Sequence, residues 1–228
     1  RGWAEGFRGA IAGVRVHSAA LTQEQVRDNA AARPAPAGVP APKSKPVQVV
    51  LDLDAADLAT GPVTAWKNRG TAGGGFAPAA ERPLWRPLVH EVEGVKGVDF
   101  SGRKSLVSSF AAPDALRGDG SFTVCIRARY DDTRGLERDQ TIASWGRRGG
   151  ERAEFCWGSD AKRGAFIAAK AEVAYAGPFT ETERFKHNSP LPGGWRHIAW
   201  AYDGKQKKLA VFVDGKRNRD AEVSLAIK

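Results

Sequence analysis

Residues 195–216 read W-R-H-I-A-W-A-Y-D-G-K-Q-K-K-L-A-V-F-V-D-G-K, and their pattern is the clearest indication of the fold. Two runs within it alternate between large apolar side chains and smaller or polar ones, as the strands of a half-buried sheet do. The alternating apolar positions are Ile198, Trp200 and Tyr202 in the first run and Leu209, Val211 and Val213 in the second. The Asp203-Gly204 and Asp214-Gly215 pairs tolerate the positive φ angles of tight turns. The stretch therefore predicts an antiparallel hairpin.

Further short strands precede the hairpin in the sequence. Residues 121–130 alternate in the same way, with Phe122, Val124 and Ile126 on one face and Thr123, Cys125 and Arg127 on the other. Shorter strand-like runs occupy residues 47–53, 141–146, 153–159 and 164–170. Turns are frequent, because 26 Gly and 13 Pro are spread at short intervals along the chain. The pattern predicts an all-β protein, a two-sheet antiparallel sandwich or jelly roll.

One helix is predicted, over residues 22–32. Thr22 and Gln25 have the spacing of a capping box, in which each side chain accepts a hydrogen bond from the backbone N–H of the other. The preceding residues 10–17 have the small and β-branched composition of a strand. Residues 33–46 are rich in Pro and Ala and read as an extended linker. We therefore divide the chain into an N-terminal segment of residues 1–32, a linker of 33–46 and a body of 47–228.

Composition narrows the class of protein. A hydrophobic content of 42% and seven Trp in 228 residues indicate a packed core rather than disorder. No apolar run approaches the ~18 residues of a membrane-spanning helix, so no membrane span is expected. The net charge of +9 is dispersed, and no nucleic-acid-binding motif accompanies it, so we expect a solvated basic surface and no nucleic-acid partner. The absence of Met indicates a piece of a longer protein.

The hairpin also carries a family resemblance. W-R-H-I-A-W-A-Y-D-G-K followed by V-F-V-D-G-K resembles the signature hairpin of laminin-G-like, concanavalin A-type jelly-roll domains of bacterial surface proteins. G-S-F-T-V-C-I-R-A-R, T-I-A-S-W-G and V-L-D-L-D-A-A-D-L with V-T-A-W-K-N-R-G resemble other strands of those domains. The resemblance implies a jelly-roll sandwich that acts as a non-catalytic binding or adhesion module. It also implies a secreted or cell-surface location and carbohydrate or extracellular protein ligands.

The order of one segment departs from that family. G-F-R-G-A-I-A-G-V-R-V-H-S-A-A-L-T resembles the family's closing strand and helix, which follow the hairpin there but precede everything here. We therefore expect Ile11, Val14 and Val16 to fill a vacant strand position beside residues 47–53, in their own body or in a neighbour's. The linker and the abrupt end favour the neighbour. The alternative function is then a structural subunit of an extracellular fibre or tandem array, self-associating by strand donation through residues 1–30.

Catalytic motifs are absent from the sequence. The glucan hydrolases that share this fold carry a Glu-x-Asp-x-x-Glu strand, and residues 137–139 lack its final Glu. No Gly-x-Ser-x-Gly elbow, phosphate loop or His-Glu-x-x-His motif occurs either. His197 is predicted to be a strand residue rather than a base. We therefore expect no enzyme, and a glycan-active enzyme is the third alternative.

Calcium is the cofactor that the resemblance implies, bound by oxygen ligands at the rim of the sandwich. The candidate ligands are Asp52, Asp54 and Asp99. The alternative for these three carboxylates is that they cap turns or pair with the many Arg side chains.

An exposed aromatic platform would suit a carbohydrate ligand. Tyr175, Phe179 and Phe185 lie in one polar loop, and Trp157 and Phe166 could extend its face. The alternative is that these aromatics pack beneath the loop.

The two cysteines, Cys125 and Cys156, lie in strand-like runs without metal-ligand spacing. Export would allow one disulfide between them, and two buried free thiols are the alternative.

Overall fold

The computed structural model describes residues 5–7, 9–31, 47–80, 84–101, 104–130, 140–146, 152–157, 165–170, 194–222 and 227. These residues form antiparallel β-sheets and one α-helix, α1 (Gln23–Ala31). Two short 3₁₀ turns, Ala55–Asp57 and Asp114–Leu116, connect strands. The expectation of an all-β protein is confirmed. Among the described residues, no helix is long and apolar enough to cross a membrane.

The largest sheet, called here the main sheet, has nine strands. In spatial order they are β16 (Lys216–Glu222), β15 (Lys208–Val213), β14 (Trp195–Asp203), β10 (Phe122–Tyr130), β2 (Gly9–His17), β8 (Val95–Asp99), β7 (Leu88–Val92) and β4 (Gly61–Pro62), with β3 (Val49–Asp54) paired to β2 beside β8. Neighbouring strands in this sheet run antiparallel.

Two smaller sheets complete the described structure. The first contains β1 (Glu5–Gly6), β11 (Gln140–Gly146), β12 (Arg152–Trp157) and β13 (Ala165–Lys170). Its β1 pairs with β11 in parallel, whereas its other pairs are antiparallel. The second contains β5 (Trp66–Lys67), β6 (Gly75–Pro78) and β9 (Leu106–Ser108).

One apolar core joins the three sheets. The predicted inward positions Phe122, Val124, Ile126, Ile198, Trp200, Tyr202, Leu209 and Val211 are all fully buried, and Val213 alone of that set is half-buried. Trp145 of β11 packs edge-on against Phe122, with ring centroids 5.2 Å apart, and Trp66 of β5 is buried in the same cluster. Strand alternation therefore predicted the inner face of the main sheet correctly, because residues two apart on a strand share a face.

The helix covers part of the outer face of the main sheet. The predicted capping box is present, because Thr22 N donates to Gln25 Oε1 at 2.9 Å and Gln25 N donates to Thr22 Oγ1 at 3.3 Å. Leu21 and Val26 pack on the outward residues Cys125, Ala199, Ala201 and Phe212. This second apolar cluster explains why α1 is stable at nine residues, since short helices depend on tertiary packing.

The N-terminal strand lies in its own chain's sheet. β2 is hydrogen-bonded to β10 on one side and to β3 and β8 on the other. Val16 and Ile11 are buried in the core, and Val14 is packed against it. In this structure residues 9–17 therefore complete the body of the same chain, beside β3 as expected, and donation to a neighbouring body stays a prediction.

The free side of β3 is covered by a loop. Asn68 is buried there, and its Oδ1 accepts hydrogen bonds from the backbone N–H groups of Asp52 (2.8 Å) and Gly70 (2.9 Å). Its Nδ2 donates to the carbonyls of Val50 (3.3 Å) and Gly73 (3.0 Å). This single amide satisfies backbone groups that an uncovered edge strand would leave unpaired.

Candidate functional site

A groove of about 390 Å³ crosses the outer face of the main sheet, and we call it the outer groove. α1 contributes Asn29 to its lining, and the turn between β7 and β8 contributes Glu93 and Gly94. The rest of the described lining comes from the middle strands and the turn after β3: Ala12, Gly13, Val14, Arg15, Asp52, Leu53, Asp54, Ala56, Val95, Lys96, Cys125, Arg127 and His197. The volume is in the range of small-ligand sites.

Strand register determines the floor of the outer groove. Arg127 lies opposite His197 of β14 and Gly13 of β2, and Gly13 in turn lies opposite Asp54 of β3. A Cβ atom at Gly13 would lie 3.1 Å from the Leu53 carbonyl oxygen, so a side chain there would crowd β3. The missing side chain at Gly13 leaves space beside Arg127.

A second row of paired residues lies next to the first. Cys125 lies opposite Arg15 of β2, and Arg15 lies opposite Asp52 of β3. Because directly opposed residues share one face of a sheet, the two rows bring polar side chains from four strands, β14, β10, β2 and β3, to the same floor. Arg15 Nε donates to Asp52 Oδ1 at 3.0 Å, so the second row is closed by an ion pair.

The carboxylates of the outer groove have cationic partners. Arg69 contacts Asp52 Oδ2 at 3.3 Å, Asp54 Oδ2 at 3.5 Å and Asp57 Oδ2 at 3.1 Å. Arg129 Nη1 lies 2.6 Å from Glu93 Oε1 at the opposite wall. The negative charges of the site are therefore largely neutralised by residues of the same fold.

Two cations of the groove have no such partner among the residues that the structure describes. Arg127 forms no ion pair with any residue that the structure describes, and its guanidinium carbon lies 6.0 Å from the centroid of the Trp195 ring. Lys96 Nζ donates to the Leu58 carbonyl at 3.0 Å and lies 3.5 Å from the Ala56 carbonyl, and neither contact cancels its charge. The groove therefore presents unbalanced positive charge at its floor and at one wall.

The thiol and the imidazole of the groove are both neutral near pH 7. Burial raises the pKa of the Cys125 thiol to about 12, so the thiolate is scarce. The pKa of His197 is lowered to about 4, mainly by burial; Asp214 opposes this shift, and the charges of Arg127 and Arg15 add to it. A thiol that stays protonated and an imidazole that is only a weak base make a poor nucleophile–base pair.

The three candidate calcium ligands do not fit a calcium ion in their present arrangement. Asp52 and Asp54 already face the Arg69 guanidinium, and Asp52 also pairs with Arg15. Asp54 caps the 3₁₀ turn through the Ala56 N–H at 2.9 Å, and Asp99 accepts from the Ser101 N–H at 2.7 Å. In the described part of the chain, no three His, Cys, Asp or Glu side chains stand close enough together to hold a metal.

The predicted aromatic platform falls mostly beyond the described residues. Tyr175, Phe179 and Phe185 lie outside them, as do the side chains of Trp157 and Phe166. The backbone places Trp157 on β12 opposite Ala165, and Phe166 on β13 opposite Cys156, so the two aromatics are not cross-strand partners. The platform stays a prediction.

The sequence left a Cys125–Cys156 bridge and two free thiols as alternatives, and the described residues contain no bridge. Cys125 is a free thiol, buried in the cluster beneath α1. Cys156 belongs to the four-stranded sheet, and its side chain lies outside the described residues.

A second cavity, of about 380 Å³, lies between the main sheet and the smaller sheets. Its described lining is mostly apolar and includes Val14, Leu51, Phe100, Leu106 and Trp145. These residues pack against the core cluster, so the cavity is a loosely filled part of the interior. The outer groove is the better candidate for a polar ligand.

Sequence reasoning did not identify Arg15, Lys96 and Arg127 as site residues. The outward position of Arg127 was visible in the alternation of β10. Its neighbours were not, because the groove depends on pairing between strands that are far apart in the sequence.

No protein-family model, curated protein or solved structure matches the chain. The residues of the outer groove are therefore the main guide to its function.

Proposed function

We propose that the chain is a non-catalytic, laminin-G-like jelly-roll module of a secreted or cell-surface protein, and that it binds a carbohydrate in the outer groove. One observation carries the ligand class: a concave site in the middle of a large sheet is lined by both hydrogen-bond donors and acceptors. The fold family and the location come from the sequence resemblance alone. Calcium has no part in the proposal.

The chemistry of the lining suits a hydroxyl-rich ligand. Arg15 and Asn29 offer N–H donors, and Asp52 and Glu93 offer carboxylate oxygens. Sugar hydroxyls both donate and accept, so a site with both kinds of group can satisfy them. The neutral Cys125 thiol and the neutral His197 imidazole support binding rather than catalysis.

An extracellular protein is the other ligand class that the sequence suggests. A stable protein–protein interface buries roughly 800 Å² on each partner, usually across a flatter surface than this groove. The groove therefore favours the carbohydrate, and a protein ligand becomes an outcome of the test.

The test is binding of the whole chain to an array of defined oligosaccharides, followed by calorimetry on those that bind. Asn29→Trp places a bulky ring at the groove wall, whereas Asp28→Trp adds the same ring at the next, exposed position of α1. We expect binding by the parent chain and Asp28→Trp, and loss in Asn29→Trp. Absence of oligosaccharide binding, or full binding by Asn29→Trp, would overturn the proposal.

A second candidate function is self-association by strand donation. The observation that favours it is the position of β2 in the middle of the main sheet. The only covalent connection between residues 5–31 and the body is the segment 32–46. A second copy could receive β2 through the same contacts, because a domain swap needs no new interface. This candidate would make the chain a subunit of an extracellular fibre or array.

Strand donation is tested by light scattering over a range of concentrations and by mixing two isotope-labelled pools. We expect dimers or larger species that exchange slowly, because β2 must leave one sheet to enter another. Shortening the linker by deleting residues 36–41 should increase their fraction. A shortened chain that remains a stable monomer at high micromolar concentration would contradict strand donation.

A further inference from the structure

We infer that the sugar bound in the outer groove is acidic, and that its carboxylate or sulfate group binds the guanidinium of Arg127. This inference rests on the proposed function, because it assigns the ligand class of the same groove. It is carried by the placement of Arg127 among neighbours that leave its charge available.

The position of Arg127 is fixed by the fold. It lies at the centre of the main sheet, with β14 on one side and β2 on the other. Trp195 stands beside its guanidinium, and the Trp195 Nε1 donates to the Val92 carbonyl at 3.0 Å, which holds the ring in place. A half-buried arginine held in this way loses little conformational freedom when a ligand binds.

The neighbours of Arg127 in its row do not neutralise it. His197 on one side is neutral near pH 7, and Gly13 on the other has no side chain. The carboxylate of this row on β3, Asp54, contacts Arg69 instead, and Asp214 beyond His197 pairs with Arg196. Among the described residues no carboxylate occupies the donors of this planar guanidinium, so it can form two parallel hydrogen bonds with an oxyanion.

The surrounding charges favour one anionic group rather than many. Lys96 adds a second cation at the wall, while Glu93 and the Asp52–Arg15 pair limit the excess of positive charge. A ligand that places a single acidic group in the groove matches this balance better than one that brings several. The net charge of +9 would also speed the encounter with an acidic glycan.

The experiment compares matched oligosaccharides by calorimetry. One set carries uronic acids, a second set carries the same sugars as methyl esters, and a third carries a single sulfate on a neutral sugar. The variants are Arg127→Gln, Arg127→Lys and Lys205→Gln, the last of which removes the same charge from an exposed turn outside the groove. Melting temperatures confirm that each variant is folded.

We expect Arg127→Gln to weaken binding of the acidic sets about 10- to 100-fold, as the loss of a charged hydrogen-bonding partner does. Arg127→Lys should restore part of the affinity, and Lys205→Gln should leave it unchanged. The uronic acid and sulfate sets identify which oxyanion is preferred.

Two failures have different meanings. If no oligosaccharide binds, the proposed function falls and this inference falls with it. If methyl esters bind as tightly as the acids and Arg127→Gln changes neither, carbohydrate binding stands and the inference about acidic sugars is overturned.

Discussion

Val16 of β2 lies directly opposite Val124 of β10, and both side chains are buried in the core. The N-terminal strand is thus a structural part of the sheet interior. Deleting residues 1–31 would expose the edge of β10 and part of the core. We expect the truncated chain to aggregate, as exposed apolar edge strands do, with loss of the cooperative melting transition.

Adding residues 5–31 back as a peptide should restore the melting transition of the truncated chain. A peptide carrying Val16→Asp should fail, because its charge would enter the apolar core. A truncated chain that stays monomeric with an unchanged melting temperature would show that β2 is dispensable.

Asn68 should be one of the most sensitive polar positions. Asn68→Ala removes four hydrogen bonds to backbone groups around β3 and leaves them without their partner. We expect a loss of about 2–4 kcal/mol in the free energy of unfolding, measured by urea denaturation. The adjacent, exposed Lys67→Ala should change it by less than ~0.5 kcal/mol. Equal effects of the two substitutions would contradict this role of Asn68.

Stability should fall on acidification partly through His197. Its pKa is lowered to about 4 by burial and by the nearby Arg127 and Arg15, against 6.5 in the unfolded chain. Between these values the unfolded state binds more protons, so the free energy of unfolding decreases as the pH falls from about 6.5 to 4. The pKa of His17, also lowered by burial and by Arg15, acts in the same direction.

His197→Asn removes that titration, and its free energy of unfolding should fall less steeply between pH 6.5 and 4 than that of the parent chain. We expect a difference on the order of 2 kcal/mol across the window, since each pKa unit corresponds to about 1.4 kcal/mol. Urea melts at each pH, referenced to pH 7.5 for each protein, provide the measurement. Parallel curves for the two proteins would refute the contribution of His197.

The Cys125 thiol should be inert in the folded protein. It is buried beneath α1 and its pKa is raised to about 12 by burial, so it offers little thiolate to an alkylating reagent. Mass spectrometry after iodoacetamide treatment should find Cys125 unmodified under native conditions. In denaturant without reductant it should be fully alkylated. Alkylation that requires a reductant would instead establish the disulfide.

The inner face of the main sheet could be predicted because alternation is a local property. Phe122 and Ile198 were placed in the core from their own strands alone, and both are fully buried. β3, the first strand of the body, is less regular. Between the pairs Val16–Leu51 and His17–Val49 the register shifts, so Val50 is an extra residue that enters the core. A bulge of this kind breaks the two-residue period on which the sequence argument depends.

The outer groove could not be predicted from the sequence, because no single strand contains it. Arg15 and Arg127 become neighbours only through the pairing of β2 with β10. Glu93 lines the same groove from the turn after β7. The acidic candidates Asp52 and Asp54 were located correctly on the first strand. Their partner Arg69 comes from a separate loop, so the sequence did not show that these carboxylates are held in ion pairs.

The central place of β2 also affects the order in which the chain folds during synthesis. β2 leaves the ribosome before β3 and meets it first, whereas β10 is made much later than both. Until then one edge of β2 has no partner, and contacts between distant segments form slowly because a long loop must close. Nascent chains should therefore stay sensitive to proteases and chaperones until residues 122–130 have emerged, and the sheet should gain its protection from that point onward.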